Sequence, residues 1–300
     1  MRLGMRTDLE LLRNAIDIHV HSSPDLYRRI SDHFEVARAA RDAGFRALVI
    51  KSHNFGTAAR ALMVQKEVQG IDVFGSLVLN LATGGLNPVA VETAIKYGAR
   101  QIYLPTVDSA NHASLTGGQI GQHGKGLVVQ GGWSQYTLTR PRLHLLDDRG
   151  QLTPEVQQIL RLVGEADVIL NCGHISYAEM ERVLPAAHAA GARKVVVDHP
   201  FFTKLSVEEQ EKLVAAGAIM NYTAGEILPR WWRVSVEDFA ATIRRLGPQN
   251  VLISSDCGQL HNPPVVEGIR LTIQLLLEEG FAEHEIRTLV HDNAAKLLYE

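Results

Sequence analysis

The chain has 300 residues, 46% of them hydrophobic and 21% charged, with a formal net charge of -3. This near-neutral balance supplies no basic face for nucleic acid, and no run of about 18 apolar residues supplies a membrane-spanning helix. The N-terminus, MRLGMRTDLELLRN, scatters charge and lacks an apolar core, so it does not read as a signal peptide. Cys172 and Cys257 stand far apart, which argues against a disulfide framework and for a reducing, cytoplasmic setting.

The elements repeat one theme: an apolar strand, a turn, an amphipathic helix. The first strand, AIDIHVH, ends at His21. A helix follows from about Asp32, where Asp32 and Glu35 have capping-box spacing, and Gly44 stops it. Residues 47–53, ALVIKSH, form the second strand, followed by a helix through Arg60 and Val68. Residues 71–80 form the third. Asn87-Pro88 then opens a helix that Gly98 closes, the usual Pro-start and Gly-stop asymmetry. Residues 101–105, QIYLP, are the fourth strand.

A long Gly-rich insertion, residues 106–152, comes next, containing LTGGQIGQHGKG and QGGW. Loops of this length are usually functional or disordered. The rhythm then resumes with a helix capped at Thr153-Pro154 and a fifth strand in ADVILNCGH. Ser176 and Glu179 cap the next helix, KVVVDHP is the sixth strand, and Ser206 with Glu209 caps the helix after it. AIMNYT is the seventh strand, Ser235 caps a helix through Leu246, NVLISSD is the eighth, and two C-terminal helices close the chain. Continuous Val/Ile-rich strands separated by helices indicate parallel pairing covered on both faces. The pattern predicts an α/β fold, a single (β/α)8 TIM-type barrel over residues 1–300. An open doubly wound sheet is the alternative, and no GxGxxG follows any strand to support it.

Polar residues collect where strands end. His19 and His21 end strand one, Lys51 and His53 strand two, Asp198 and His199 strand six, and Asp256 strand eight; His174 follows strand five. In a barrel these ends form one rim, where active sites sit. Residues i and i+2 of a strand share a face, so His19 and His21 can bind one cation, with His174 adding a nitrogen and Asp256 a carboxylate oxygen. This donor set suits zinc, with manganese, iron or nickel as alternatives. Such an ion lowers the pKa of its water towards about 7, and Asp256 is placed to take the proton. His112, His144, His188, His261 and His284 read as structural or surface residues.

At these residues the chain resembles the amidohydrolase superfamily of metal-dependent hydrolases. That family carries HxH after strand one, a His after strands five and six, and an Asp after strand eight; His19, His21, His174, His199 and Asp256 match in order. The closing DNAAKLL resembles the family's C-terminal helix, and KSH, GHIS, DHP and SSDCGQ suggest an uncharacterised subgroup. Binuclear members add a bridging Lys or Glu from strand four; QIYLPT has neither, and Lys51 sits on strand two. The resemblance therefore implies one ion, with two as the alternative. His199 is a second-site ligand or an electrophile that polarises the scissile group, and Lys51 stabilises an oxyanion. His53 orients substrate or completes a second metal site.

Arg28 and Arg29 are candidates to grip a substrate carboxylate or phosphate. Residues 117–126, with His123 and Lys125, are a candidate lid. Asn221 and Glu226 are further rim candidates, and Trp231-Trp232 mark either a pocket wall or a subunit contact. The expected activity is hydrolysis of an amide, lactone or ester bond of a small molecule. The other readings are a decarboxylase-type lyase, a phosphoesterase, and a non-catalytic metal- or ligand-binding barrel. A homo-oligomer is the base-rate expectation.

Overall fold

A computed structural model describes residues 6–117 and 131–300. Eight strands form one sheet in sequence order: β1 (Ile16–His21), β2 (Ala47–Lys51), β3 (Asp72–Val78), β4 (Ala99–Tyr103), β5 (Ile169–Asn171), β6 (Val195–Asp198), β7 (Ile219–Thr223) and β8 (Val251–Ser254). Each pairs in parallel with the next. Helices separate consecutive strands, as parallel pairing requires. The architecture is the expected (β/α)8 barrel.

β8 and β1 meet at a seam rather than a full ladder. Val20 bridges Cys257, His21 N donates to the Cys257 carbonyl at 3.0 Å, and Asp256 N donates to the His19 carbonyl at 3.1 Å. Lower in the seam the buried Asp17 carboxylate accepts from the backbone N–H groups of His19 (3.0 Å) and Ser255 (3.1 Å). These bonds hold the first strand of the chain against the last.

Helix starts follow local signals. Asp32 and Glu35, Ser176 and Glu179, and Ser206 and Glu209 each form reciprocal capping boxes, which satisfy N–H groups that the first turn leaves without partners. Thr153 and Ser235 cap the helices Pro154–Ala166 and Val236–Leu246. Several strands are shorter than their apolar runs: β2 stops at Lys51, and His174 and Asp256 lie in the loops after β5 and β8.

Of the Gly-rich insertion, residues 118–130 lie outside the described residues, and with them His123 and Lys125. The described part holds two helices that glycine density obscured, Ala110–Thr116 and Gln135–Leu138, each opened by a serine N-cap.

The barrel interior divides into an apolar bottom and a polar top. At the bottom Ile16, Ile18, Ala47, Val49, Ile169, Val196 and Leu252 pack against Ala294, Leu297 and Leu298 of the C-terminal helix Asn293–Tyr299. At the top the buried side chains are His19, Lys51, Tyr103, Asn171, Asp198, Asn221 and Ser254.

Candidate metal centre and adjoining cavity

β1 delivers its histidines through an irregularity. Its register with β2 shifts between Asp17 and Val20: Asp17 faces Leu48, but Val20 already faces Ile50. Strict alternation would place Ile16 and Ile18 on the face opposite His19 and His21. The extra residue of a bulge reverses the alternation. Ile16 and Ile18 therefore fill the barrel bottom, Val20 joins the outer layer beneath the helices, and the two histidines enter the polar top.

Nε2 of His19 and of His21 lie 3.2 and 3.1 Å from one Asp256 carboxylate oxygen. A second group shares His19: its Nδ1 lies 3.2 Å from Asp198 Oδ2, which lies 3.3 Å from His199 Nε2. Both triads have their ligand atoms within 4.8 Å of one another, and all five residues are buried. Ligands on one tetrahedral ion with bonds of ~2.0–2.1 Å stand about 3.4 Å apart, so either group is of ion size. Asp198 Oδ2 makes no hydrogen bond although fully buried, an orphan that a cation satisfies. The residues present fit a divalent ion. A neutral imidazole offers one lone pair, so His19 serves one of the two positions at a time.

Lys51 Nζ lies 2.9 Å from His19 Nε2, 3.8 Å from Asp198 Oδ2 and 4.5 Å above the Tyr103 ring. Asp198 is oriented from behind: Asn221 Nδ2 donates to its Oδ1, and Ser254 Oγ donates to Asn221 at 2.7 Å. Burial lowers the Lys51 ammonium despite the pull of Asp198. Burial likewise pushes His199 down to about 4 and His21 well below its usual range, the latter helped by Arg29. Burial opposes ionisation of Asp256, but His19, His199 and His21 hold its carboxyl well below the usual range. His199 and Asp256 both adopt left-handed backbone, with φ of 49° and 47°, the kind of sparsely populated conformation that clusters at functional sites.

A cavity of about 240 Å³ opens beside this centre, lined by His112, His174, His199, Phe202, Glu226 and Asp256 on its inner side and by Arg230, Trp231 and Arg233 further out. His174 falls in neither ion-sized group; its ring packs 5.4 Å from His199, and its Nδ1 lies 2.8 Å from His112 Nδ1. His53 stacks on His21 at 5.1 Å and meets Thr106 Oγ1 at 2.9 Å. Arg28 is exposed. The Arg29 side chain is buried in a two-bond pair with Asp25 and reaches His21 Nδ1 at 3.2 Å, so it orients a histidine rather than facing the cavity.

Three further residues contribute, and the sequence offers two of them, Asp198 and Glu226, as rim residues without a role. His112 is fully buried against His174, a structural place rather than a surface one, whereas His144, His188 and His284 are exposed. Asp198 was visible at a strand end but was outranked by its neighbour His199. Glu226 accepts from the N–H groups of Phe201 (2.9 Å) and Phe202 (3.0 Å), tying the loop after β6 to β7; burial pushes its carboxyl up to about 8. A Ser109 cap three residues before His112 was the available signal for the first.

Residues 14–221 match the model of a family of unknown function, DUF6282. The chain belongs to that family. The matched span holds every site residue through Asn221 and stops before Glu226 and Asp256. No curated protein matches the sequence. Among solved structures, the chain is similar to an amidohydrolase from Pseudomonas aeruginosa, with a TM-score of 0.65 at 12% identity over 98% of both chains. It is also similar to the probable dipeptidase PvdM from Pseudomonas aeruginosa, with a TM-score of 0.63 at 12% identity over 98% of both chains. A third is the phosphotriesterase homology protein from Escherichia coli, complexed with phosphate in its active site (0.55, 14%, 95% of this chain and 99% of that one). At these identities the likeness shows the fold alone: this DUF6282 member shares its barrel with these proteins.

Proposed function

We propose that the protein is a metal-dependent hydrolase that cleaves an amide, lactone or ester bond of a small molecule. The reading rests on one observation: two histidine Nε2 atoms and an Asp256 oxygen stand at ion-ligand spacing, buried at the C-terminal mouth of the barrel beside a cavity. The hydrolase names of the similar barrels support the same class.

His19, His21 and Asp256 hold one divalent ion, zinc foremost with manganese, iron or nickel as alternatives. When bound, the ion acts as a Lewis acid and makes a water acidic enough to lose its proton near neutral pH. Asp256 Oδ1 faces the two histidines, which leaves Oδ2, 3.9 Å from His199 Nδ1, to receive that proton. His199 and Lys51 donate to the oxyanion that develops on the scissile carbonyl. His174, steadied by His112, contacts substrate from the cavity wall or completes the ligand set. The two buried, unbridged cysteines fit a cytoplasmic setting.

Elemental analysis after metal-supplemented growth tests the centre, with a panel of amides, lactones and esters as substrates. The expected result is about one divalent ion per chain, and a loss of turnover of at least ~100-fold in Asp256→Asn with an unchanged circular dichroism spectrum. Metal content near zero in the wild type overturns the reading.

A further inference from the structure

The cavity beside the candidate centre is two-ended in its chemistry. The buried carboxyl groups of Glu226 and Asp256 stand at the inner end with His174 and His199. Arg233 stands at the outer end, exposed to solvent. Its backbone N–H donates to the Glu226 carbonyl at 2.7 Å. Its guanidinium carbon lies 5.2 Å from the centre of the Phe202 ring. That same ring packs 4.9 Å from His174 and 6.3 Å from His199. The cation is therefore one aromatic ring away from the histidines, and among the described residues no carboxylate pairs with it.

An exposed arginine signals nothing by itself. The signal here is its place on the aromatic wall of the same cavity, away from the buried acidic side chains of Glu226 and Asp256. In the ion-free protein an anionic group is repelled from the Asp256 carboxylate and attracted to the guanidinium fork, which matches a carboxylate with two parallel hydrogen bonds. Phe202 and Trp231 between them suit an apolar or aromatic body. The volume of about 240 Å³ is below the ~300–1,000 Å³ of sites for drug-sized ligands, so the occupant is compact.

We propose that this cavity selects small organic acids, with the terminal carboxylate held by Arg233, an apolar body along Phe202 and Trp231, and the uncharged reactive bond over His174 and His199. The placement of the reactive bond rests on the hydrolase reading; the placement of the anion does not.

Calorimetric titration of the full chain with benzoate and hippurate, against their neutral counterparts benzamide and hippuramide, tests this. Each acid binds about tenfold tighter than its amide or better, equivalent to ~1.4 kcal/mol. Arg233→Gln erases the gap, and Arg161→Gln, on the helix Pro154–Ala166, preserves it. The gap also persists in chelator-stripped protein. Equal affinities, no binding of either acid at millimolar concentration, or a gap that survives Arg233→Gln overturns the proposal. So does a gap that vanishes on stripping, which assigns the carboxylate to the ion. Absence of metal and turnover defeats the hydrolase reading while leaving the acid-over-amide result standing.

Discussion

His33 shows how a single buried side chain couples the fold to pH. Its Nδ1 lies 2.6 Å from Ser22 Oγ, its Nε2 has no hydrogen bond, and burial pushes its pKa down to about 4 from 6.5. Between those values the unfolded chain binds a proton and the folded chain does not. Stability is therefore fully present above pH 6.5 and is lost as pH falls towards 4. The share from His33 is on the order of 2 kcal/mol. Urea melts at pH 7.5 and pH 5 should show a smaller loss for His33→Gln than for the wild type. His21 and His199 titrate in the same sense and leave a residual loss in the variant. Equal losses in the two proteins would remove His33 from the account. The residue types at the candidate centre were legible because histidine and aspartate are scarce at the ends of Val/Ile strands. Their pairing was not: which nitrogen of His19 faces Asp198 and which faces Asp256 depends on β1, β6 and the loop after β8 meeting.

At the scale of elements, β1 illustrates what a sequence pattern hides. The i, i+2 spacing of His19 and His21 correctly put them on one face, yet the same rule would have turned Ile16 and Ile18 outward. The bulge lets one strand supply both the apolar bottom and the polar top of the barrel. The loop after β5 is under a comparable constraint. Gly173 has φ +57°, and a Cβ there would stand 2.4 Å from the Leu104 carbonyl oxygen, just before His174, whose N–H donates to Pro105. Gly173→Ala should cost roughly 2–4 kcal/mol and displace His174, because backbone rather than a flexible side chain blocks the new methyl. Gly98→Ala is the control: φ +88° but open space around it, so backbone strain is the main cost, about 1 kcal/mol. Equal denaturation midpoints for the two variants would refute the close-approach argument. Capping boxes were readable because their signal is confined to four residues; the helix Ala110–Thr116 was not, since the glycines that follow it outweighed its cap.

The whole molecule depends on sealing the barrel at the end away from the site. Asn293 begins the closing helix, and its buried Nδ2 donates to the carbonyls of Pro248 (2.8 Å) and Val251 (2.7 Å), at the entry to β8. Asn293→Ala removes that donor and should lower stability by about 1–3 kcal/mol, read as a lower urea midpoint at unchanged m-value. A shift within ~0.5 kcal/mol would show that Ala294, Leu297 and Leu298 seal the barrel by packing alone.

The sequence by itself determined the count and order of the strands, the helix starts, and the residue types offered at the rim, because periodicity and capping are local and survive without knowledge of neighbours. Only the tertiary structure decided which rim residues meet. It joined Asp198 and Asp256 to opposite nitrogens of His19, and drew Arg29 inward onto Asp25 and His21. It brought His112 against His174 and placed the Arg233 guanidinium on the cavity wall against Phe202. Those outcomes follow from barrel closure, which sets residues nearly 240 positions apart side by side at the β8–β1 seam, a distance over which no sequence pattern carries information.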